Sequence, residues 1–177
     1  MQYISHYESP LGNMLLAAND RGLTGAWFEG QKYYGCGLES EYEEKEIPVF
    51  EEAKKWLNVY FSGQEPHNQV PICFVGTDFQ KTVWEILCTV PYGRTISYGE
   101  IASRIAAERG ILHMSAQAVG GAVGHNKVSV LVPCHRVIGT NGSLTGYAGG
   151  IEKKIKLLKL EGIDIRSCII PEKGTAL

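Results

Sequence analysis

The sequence predicts an α/β protein: a small β-rich N-terminal domain, an antiparallel meander plus one helix, followed by a helical C-terminal domain containing a helix-turn-helix. Three observations predict it. Short apolar runs alternate with Gly, Pro and Asn turns through residues 3–28. Helical spacing of apolar residues dominates after residue 78. The charge changes sign between the halves, with 5 Lys/Arg against 12 Asp/Glu in residues 1–79 and 10 against 4 in residues 80–160. The boundary is expected at 76/77, giving domains 1–76 and 77–171. With 177 residues, 44% hydrophobic and 20% charged, the chain can bury a real core, which excludes wholesale disorder.

In the first domain, Tyr3–Tyr7, Met14–Ala18 and Leu23–Phe28 read as strands, turned at Pro10-Leu11-Gly12 and Asn19-Asp20-Arg21-Gly22. Gln31–Ile47 is polar and acidic and reads as a surface loop. Glu51–Phe61 sets Ala53, Leu57, Tyr60 and Phe61 at helical spacing and stops at Ser62-Gly63. A linker, Gln64–His67, leads into an extended Val70-Pro71-Ile72.

In the second domain, Phe79, Val83, Ile86, Leu87 and Val90 trace one helical face behind a Thr77/Asp78 cap. Ser97-x-x-Glu100 is a capping box ahead of Ile101, Ala102 and Ile105, and Gly110 ends that helix. Ser115 caps a short helix to about Val123, stopped by Gly124. The two helices form the helix-turn-helix pattern. The second is built of small residues, Gln117-Ala118-Val119-Gly120-Gly121-Ala122. Adjacent glycines cost roughly 1 kcal/mol each in helix stability. The sequence bears that cost sensibly if something large lies against the helix backbone. Val128–Val132 reads as a buried strand or extended segment.

No apolar run is long enough for a bilayer, and the start of the chain shows no basic-then-apolar signal, so a cytoplasmic protein without membrane contact is expected. Five cysteines, at 36, 73, 88, 134 and 168, include no C-x-x-C pair, which argues against a disulfide framework and a zinc finger. Cys73 and Cys88 sit in apolar runs and are expected to be buried. The positive half points to a polyanion. Its densest segment ends in Pro133-Cys134-His135-Arg136-Val137. A thiolate is the reactive form of cysteine, and its pKa falls beside cations or helix N-termini. Adjacent side chains on an extended chain diverge, so contact between Cys134 and His135 requires a tight turn or a bridging water. A carboxylate that orients the imidazole could be Glu152 or Glu161.

Pro133-Cys134-His135-Arg136-Val137 resembles the acceptor motif of the methylated-DNA–protein-cysteine methyltransferases, the O6-alkylguanine-DNA alkyltransferases. Ser97–Ala102 resembles that family's first DNA-binding helix, and Ala118–Ala122 its recognition helix. Asn126 lies eight residues before the cysteine, as in the family. Gly146-Tyr147-Ala148-Gly149-Gly150 resembles the loop walling the guanine pocket, and Leu160-Glu161-Gly162 the segment supplying the acid. The match spans about residues 79–163. Residues 1–30 resemble, more loosely, the family's ribonuclease-H-like N-terminal domain.

The resemblance implies a single-turnover DNA-repair protein, a suicide acceptor. It would bind double-stranded DNA through the minor groove as a monomer, extrude an O6-alkylguanine and move the alkyl group onto its own cysteine. By the same resemblance, Cys134 is the acceptor and His135, through a water, takes its proton. Glu161 holds His135, Asn126 ties the turn together, and Tyr98 donates a proton to the leaving guanine. The backbone around Val137 and Ala148 reads the base, Tyr147 walls the pocket, and Gln117, Gly120 and Gly121 face DNA. No metal and no organic cofactor is implied. The chain departs from the family at Gln117, where most members carry arginine, and residues 1–30 lack the cysteines that bind zinc in some members. The alternatives are a non-catalytic alkylated-DNA sensor of the alkyltransferase-like type, in which the acceptor cysteine is replaced, and a cysteine hydrolase.

Overall fold

A computed structural model describes residues 1–171. The chain divides into two compact units, one of residues 1–75 with 127–131, the other of residues 76–126 with 132–177, of which 172–177 lie outside the described residues.

The first unit is built on an antiparallel meander, β1 (Gln2–Ser9), β2 (Gly12–Asn19) and β3 (Gly22–Phe28). A fourth strand, β4 (Tyr42–Glu44), pairs in parallel with β1, giving the order β3-β2-β1-β4. All of β3 and Met14–Ala18 of β2 are buried. A strand covered on both faces reads as a continuous apolar run rather than an alternating one. Gly22 is required where it stands. A Cβ there would lie 2.6 Å from the carbonyl oxygen of Pro71, whose strand-like segment bonds to Leu23 on both sides (2.8 Å each). Helix α1 (Pro48–Phe61) lays Phe50, Ala53, Leu57 and Tyr60 into the core. It begins three residues before the expected Glu51, because proline suits the first turn, where its missing N–H is no loss.

Two expectations fail in this unit. Part of the anticipated loop 31–47 is β4, whose exposed Tyr-Glu-Glu carries no alternation to read. Residues 128–132 are buried, as expected, but form no regular strand. Val128 makes a single bridge to Ala26, and the chain then reverses at Val130, φ +73°, where the Leu131 N–H reaches the Ser129 carbonyl at 3.0 Å. This γ-turn is rare for a β-branched residue. It occurs in a segment (127–131) that groups with the first unit, although the sequence assigned it to the second.

In the second unit, α2 (Asp78–Cys88) starts at a full capping box between Thr77 and Gln80. Two-residue strands β5 (Ile96–Ser97) and β6 (Val137–Ile138) pair in parallel. Helix α3 (Tyr98–Arg109) starts at the Ser97/Glu100 capping box and stops at Gly110, φ +63°, the left-handed cap glycine favours. Helix α4 (Ala116–Gly124) starts at Ser115, whose hydroxyl accepts the Ala118 N–H at 3.2 Å. It runs one residue beyond Val123, so Gly124 ends the helix from within. The buried Trp84 of α2 donates its indole N–H to the Ala122 carbonyl of α4 at 2.9 Å. Helix α5 (Ile151–Leu160) closes the unit. Cys88 is exposed and Cys73 half-buried, against expectation. Cys88 closes α2 on its solvent side, and Cys73 lies in an open loop within 3.8 Å of the Asn19 amide. No helix among the described residues is long and apolar enough to cross a membrane.

Candidate active site

Cys134 sits where two tight turns meet. Pro133, φ −81° and ψ 61°, makes an inverse γ-turn that joins the Cys134 N–H to the Val132 carbonyl at 2.8 Å. One 3-10 turn, Cys134–Arg136, follows. With three residues per turn, it sends successive side chains to different sides of the same small volume. All three are buried.

Asn126 emerges just after α4. Its side-chain N–H₂ donates to the Val132 carbonyl at 3.0 Å and to Cys134 Sγ at 3.1 Å, so one amide fixes the turn and the thiol. His135 Nε2 bonds Glu161 Oε1 at 2.6 Å. Glu161, at the C-terminal end of α5, also accepts Arg136 Nε and Nη2 at 2.9 and 3.1 Å and the Gly93 N–H at 3.0 Å. Arg136 Nη1 donates to the Val90 carbonyl at 2.7 Å.

These contacts fix the charges. Burial would raise the Glu161 carboxyl, but His135 and Arg136 together hold it down at about 2. Burial pushes His135 down against the pull of Glu161, so the imidazole is neutral at rest. Its Nε2–H then faces the carboxylate and Nδ1 carries the lone pair. Burial pushes the Cys134 thiol up, opposed by the Asn126 amide and the Lys154 charge. The resting thiol is therefore protonated, and the neutral imidazole is the base in the cluster.

The other wall comes from the loop before α5. The Tyr98 hydroxyl donates to the Thr145 and Gly146 carbonyls at 3.2 and 3.4 Å, and burial keeps the phenol protonated. The half-buried Tyr147 stands edge-on to His135, with ring centroids 6.5 Å apart. Ala148 is half-buried in the same loop.

Two stretches of chain match family models for 6-O-methylguanine DNA methyltransferase. They are its ribonuclease-like domain over residues 2–73 and its DNA-binding domain over residues 78–163. The methylated-DNA–protein-cysteine methyltransferase of Methanosarcina acetivorans is 44% identical over 160 residues, covering 90% of this chain and 98% of that one. That of Haemophilus influenzae is 36% identical over 162 residues, covering 91% and 87%. The crystal structure of Mycobacterium tuberculosis OGT in complex with DNA matches with a TM-score of 0.77 at 42% identity, over 90% of this chain and 92% of that one. The chain belongs to the methylated-DNA–protein-cysteine methyltransferase family.

Membership makes it a DNA-repair alkyltransferase rather than a non-catalytic sensor. Of the residues singled out in its sequence, Cys134, His135, Asn126 and Glu161 form one bonded cluster, and Tyr98 shares the Thr145 carbonyl with Lys154. Glu152, the rival acid, is exposed on α5. Val137 is buried, its carbonyl taken by Lys154. Gln117 is exposed at the start of α4, apart from this cluster. Gly120 and Gly121 part company: Gly120 is buried in the unit, while a Cβ on Gly121 would meet nothing within 4 Å.

Lys154 escaped the sequence reading. It lies in Lys153-Lys154-Ile155-Lys156, which looks like a solvated helix face. It is fully buried, donating to the carbonyls of Val137 (2.5 Å) and Thr145 (2.8 Å), and burial pulls its ammonium down to about 8. The signal was periodic: Lys154 falls on the helix face of the buried Leu157 and Leu158.

Proposed function

We propose that the protein transfers the alkyl group of O6-alkylguanine in duplex DNA, once and irreversibly, to Cys134. The observation that carries this reading is the Asn126–Cys134 contact within one turn of the His135–Glu161–Arg136 cluster. His135, through a water, takes the thiol proton, because a buried thiol needs a base at hand. Sγ attacks the alkyl carbon in line, the carbon–O6 bond breaks, and the guanine leaves with the electron pair. Tyr98 supplies the proton that neutralises it and regains one from solvent. Glu161 holds the imidazole in the tautomer that accepts at Nδ1, and Asn126 holds the sulfur. Lys154 places positive charge near the forming thiolate and bonds the carbonyls of Val137 and Thr145, tying Val137 to the loop that carries Ala148, the two segments that read the base. Tyr147 walls the pocket.

The DNA is engaged through the minor groove by α4. Its exposed Gln117 and Ala118 and the open side of Gly121 allow a strand to approach the backbone closely. A base inside a duplex exposes O6 to a protein thiol only when extruded. Residues 1–76 and 77–171 act as the N-terminal and alkyltransferase domains of a cytoplasmic monomer.

The test is intact mass after incubation with a duplex containing O6-methylguanine. One methyl gained per protein, with no turnover, is expected. No gain would make the protein a sensor, and excess substrate consumed without mass gain would make it a hydrolase.

A further inference from the structure

The connection between α3 and α4, residues 110–115, leaves its largest apolar side chains outside. Leu112 is 107% exposed and Ile111 44%, while Met114 is half-buried and His113 exposed. Single exposed leucines are ordinary on protein surfaces. This one has three further properties. It stands four residues ahead of the first residue of α4, the helix whose first turn carries the exposed Gln117 and Ala118. The loop holding it does not pack down fully: a cleft of about 480 Å³ lies behind it, against Ala102, Ala106 and Ala107 of α3. Finally, residues 109–151 contain no Asp or Glu, so no carboxylate from this stretch opposes a phosphate backbone.

We propose that Leu112 is an apolar wedge that enters the base stack and fills the gap left by the extruded guanine. The inference rests on the alkyltransferase reading above. Extrusion leaves a hole lined by the faces of the flanking base pairs. An aliphatic side chain is suited to fill it, because it regains apolar contact without needing hydrogen bonds there. Gln117 has an amide, which loses its water partners inside a stack. Leu112 has nothing to desolvate, and the transfer that hides it from water is favourable in its own right. The cleft behind the loop gives the backbone room to settle as the side chain enters.

Single-turnover rates decide this, on three substrates: duplex with O6-methylguanine opposite cytosine, the same strand alone, and free O6-benzylguanine. Because Leu112 is fully exposed, Leu112→Ala leaves the melting temperature of the free protein in place. It should slow the duplex reaction about tenfold or more, because the unstacking cost would no longer be offset by the inserted side chain. The single strand should slow far less, and the free base serves as internal reference. Leu112→Phe should restore most of the duplex rate. Equal slowing on all three substrates, or an unchanged duplex rate, overturns the wedge. A wild-type protein inert with all three overturns the alkyltransferase reading instead, and this inference with it.

Discussion

Glu161 accepts four hydrogen bonds through two oxygens, from His135, Arg136 twice and the Gly93 N–H. Its carboxyl therefore sits at about 2 instead of 4.5. The sign follows from linkage: a carboxyl lowered on folding stabilises the folded state above the unfolded value. That contribution is lost as pH falls from about 4.5 towards 2. Glu161→Gln leaves Arg136 buried without its counter-charge, a loss of about 3–5 kcal/mol when one partner of a buried pair is removed. The melting temperature at pH 7 should fall clearly, the acid limb of stability should flatten between those pH values, and transfer should slow. An unchanged acid limb would show that the carboxylate is not the titrating group. Cys134→Ser should abolish transfer and keep DNA binding, since the hydroxyl is a far weaker nucleophile. Peptide mapping should find the methyl on Cys134 and on none of Cys36, Cys73, Cys88 and Cys168. Lys154 predicts a pH profile. Its charge helps the thiolate while it is protonated, so Lys154→Met should slow transfer most below about 8 and least above. A uniform loss across pH would mean that Lys154 acts only as a brace. At this scale the sequence was legible where a motif marked the residue. Lys154 was hidden because a buried lysine and a surface lysine look alike until the helix face is known.

At the scale of elements, local chemistry carried most of the reading. The Ser97/Glu100 box, the Ser115 cap and Gly110 each act on the backbone groups beside them, so neighbours in sequence decide them. The failures were non-local. Strand β4 exists because β1 offers it an edge, and residues 127–131 turn where partners from the first unit hold them. Helix α4 gives the next prediction. Gln117 is shorter than arginine and uncharged, though its amide both donates and accepts. Gln117→Arg should tighten duplex binding and speed duplex repair, leaving the single strand and free O6-benzylguanine nearly unchanged. In that background Leu112→Ala should cost less than it does alone, because the two side chains would share one gap. Additive effects would separate their roles.

For the whole molecule, alkylation adds a methyl to a sulfur already in contact with Asn126 in a buried turn. Overpacking a closed site typically costs about 1–3 kcal/mol. The methylated protein, free of DNA, should melt several degrees below the unmodified one, and an equal or higher midpoint would mean that the site has slack.

The route of the chain bears on when the reactive thiol comes into being. After Asn126 the chain crosses into the first unit for residues 127–131 and returns at Val132, two residues before the acceptor. There the Ala26 N–H donates to Lys127, the Ser129 N–H to Ala26, both at 2.8 Å, and the Ser129 hydroxyl to Gln31 at 3.1 Å. On a ribosome the meander emerges first, but its last backbone partners are delayed until residues 76–126 have been synthesised. Contacts that span most of the chain close late, because loop entropy opposes them until their surroundings exist. The bonds that complete the site around Cys134 wait in turn for Glu161, which holds His135 and Arg136 and is synthesised well after the acceptor. A nascent or half-folded chain carries an ordinary cysteine, and a protein that can react only once is not spent before it is complete.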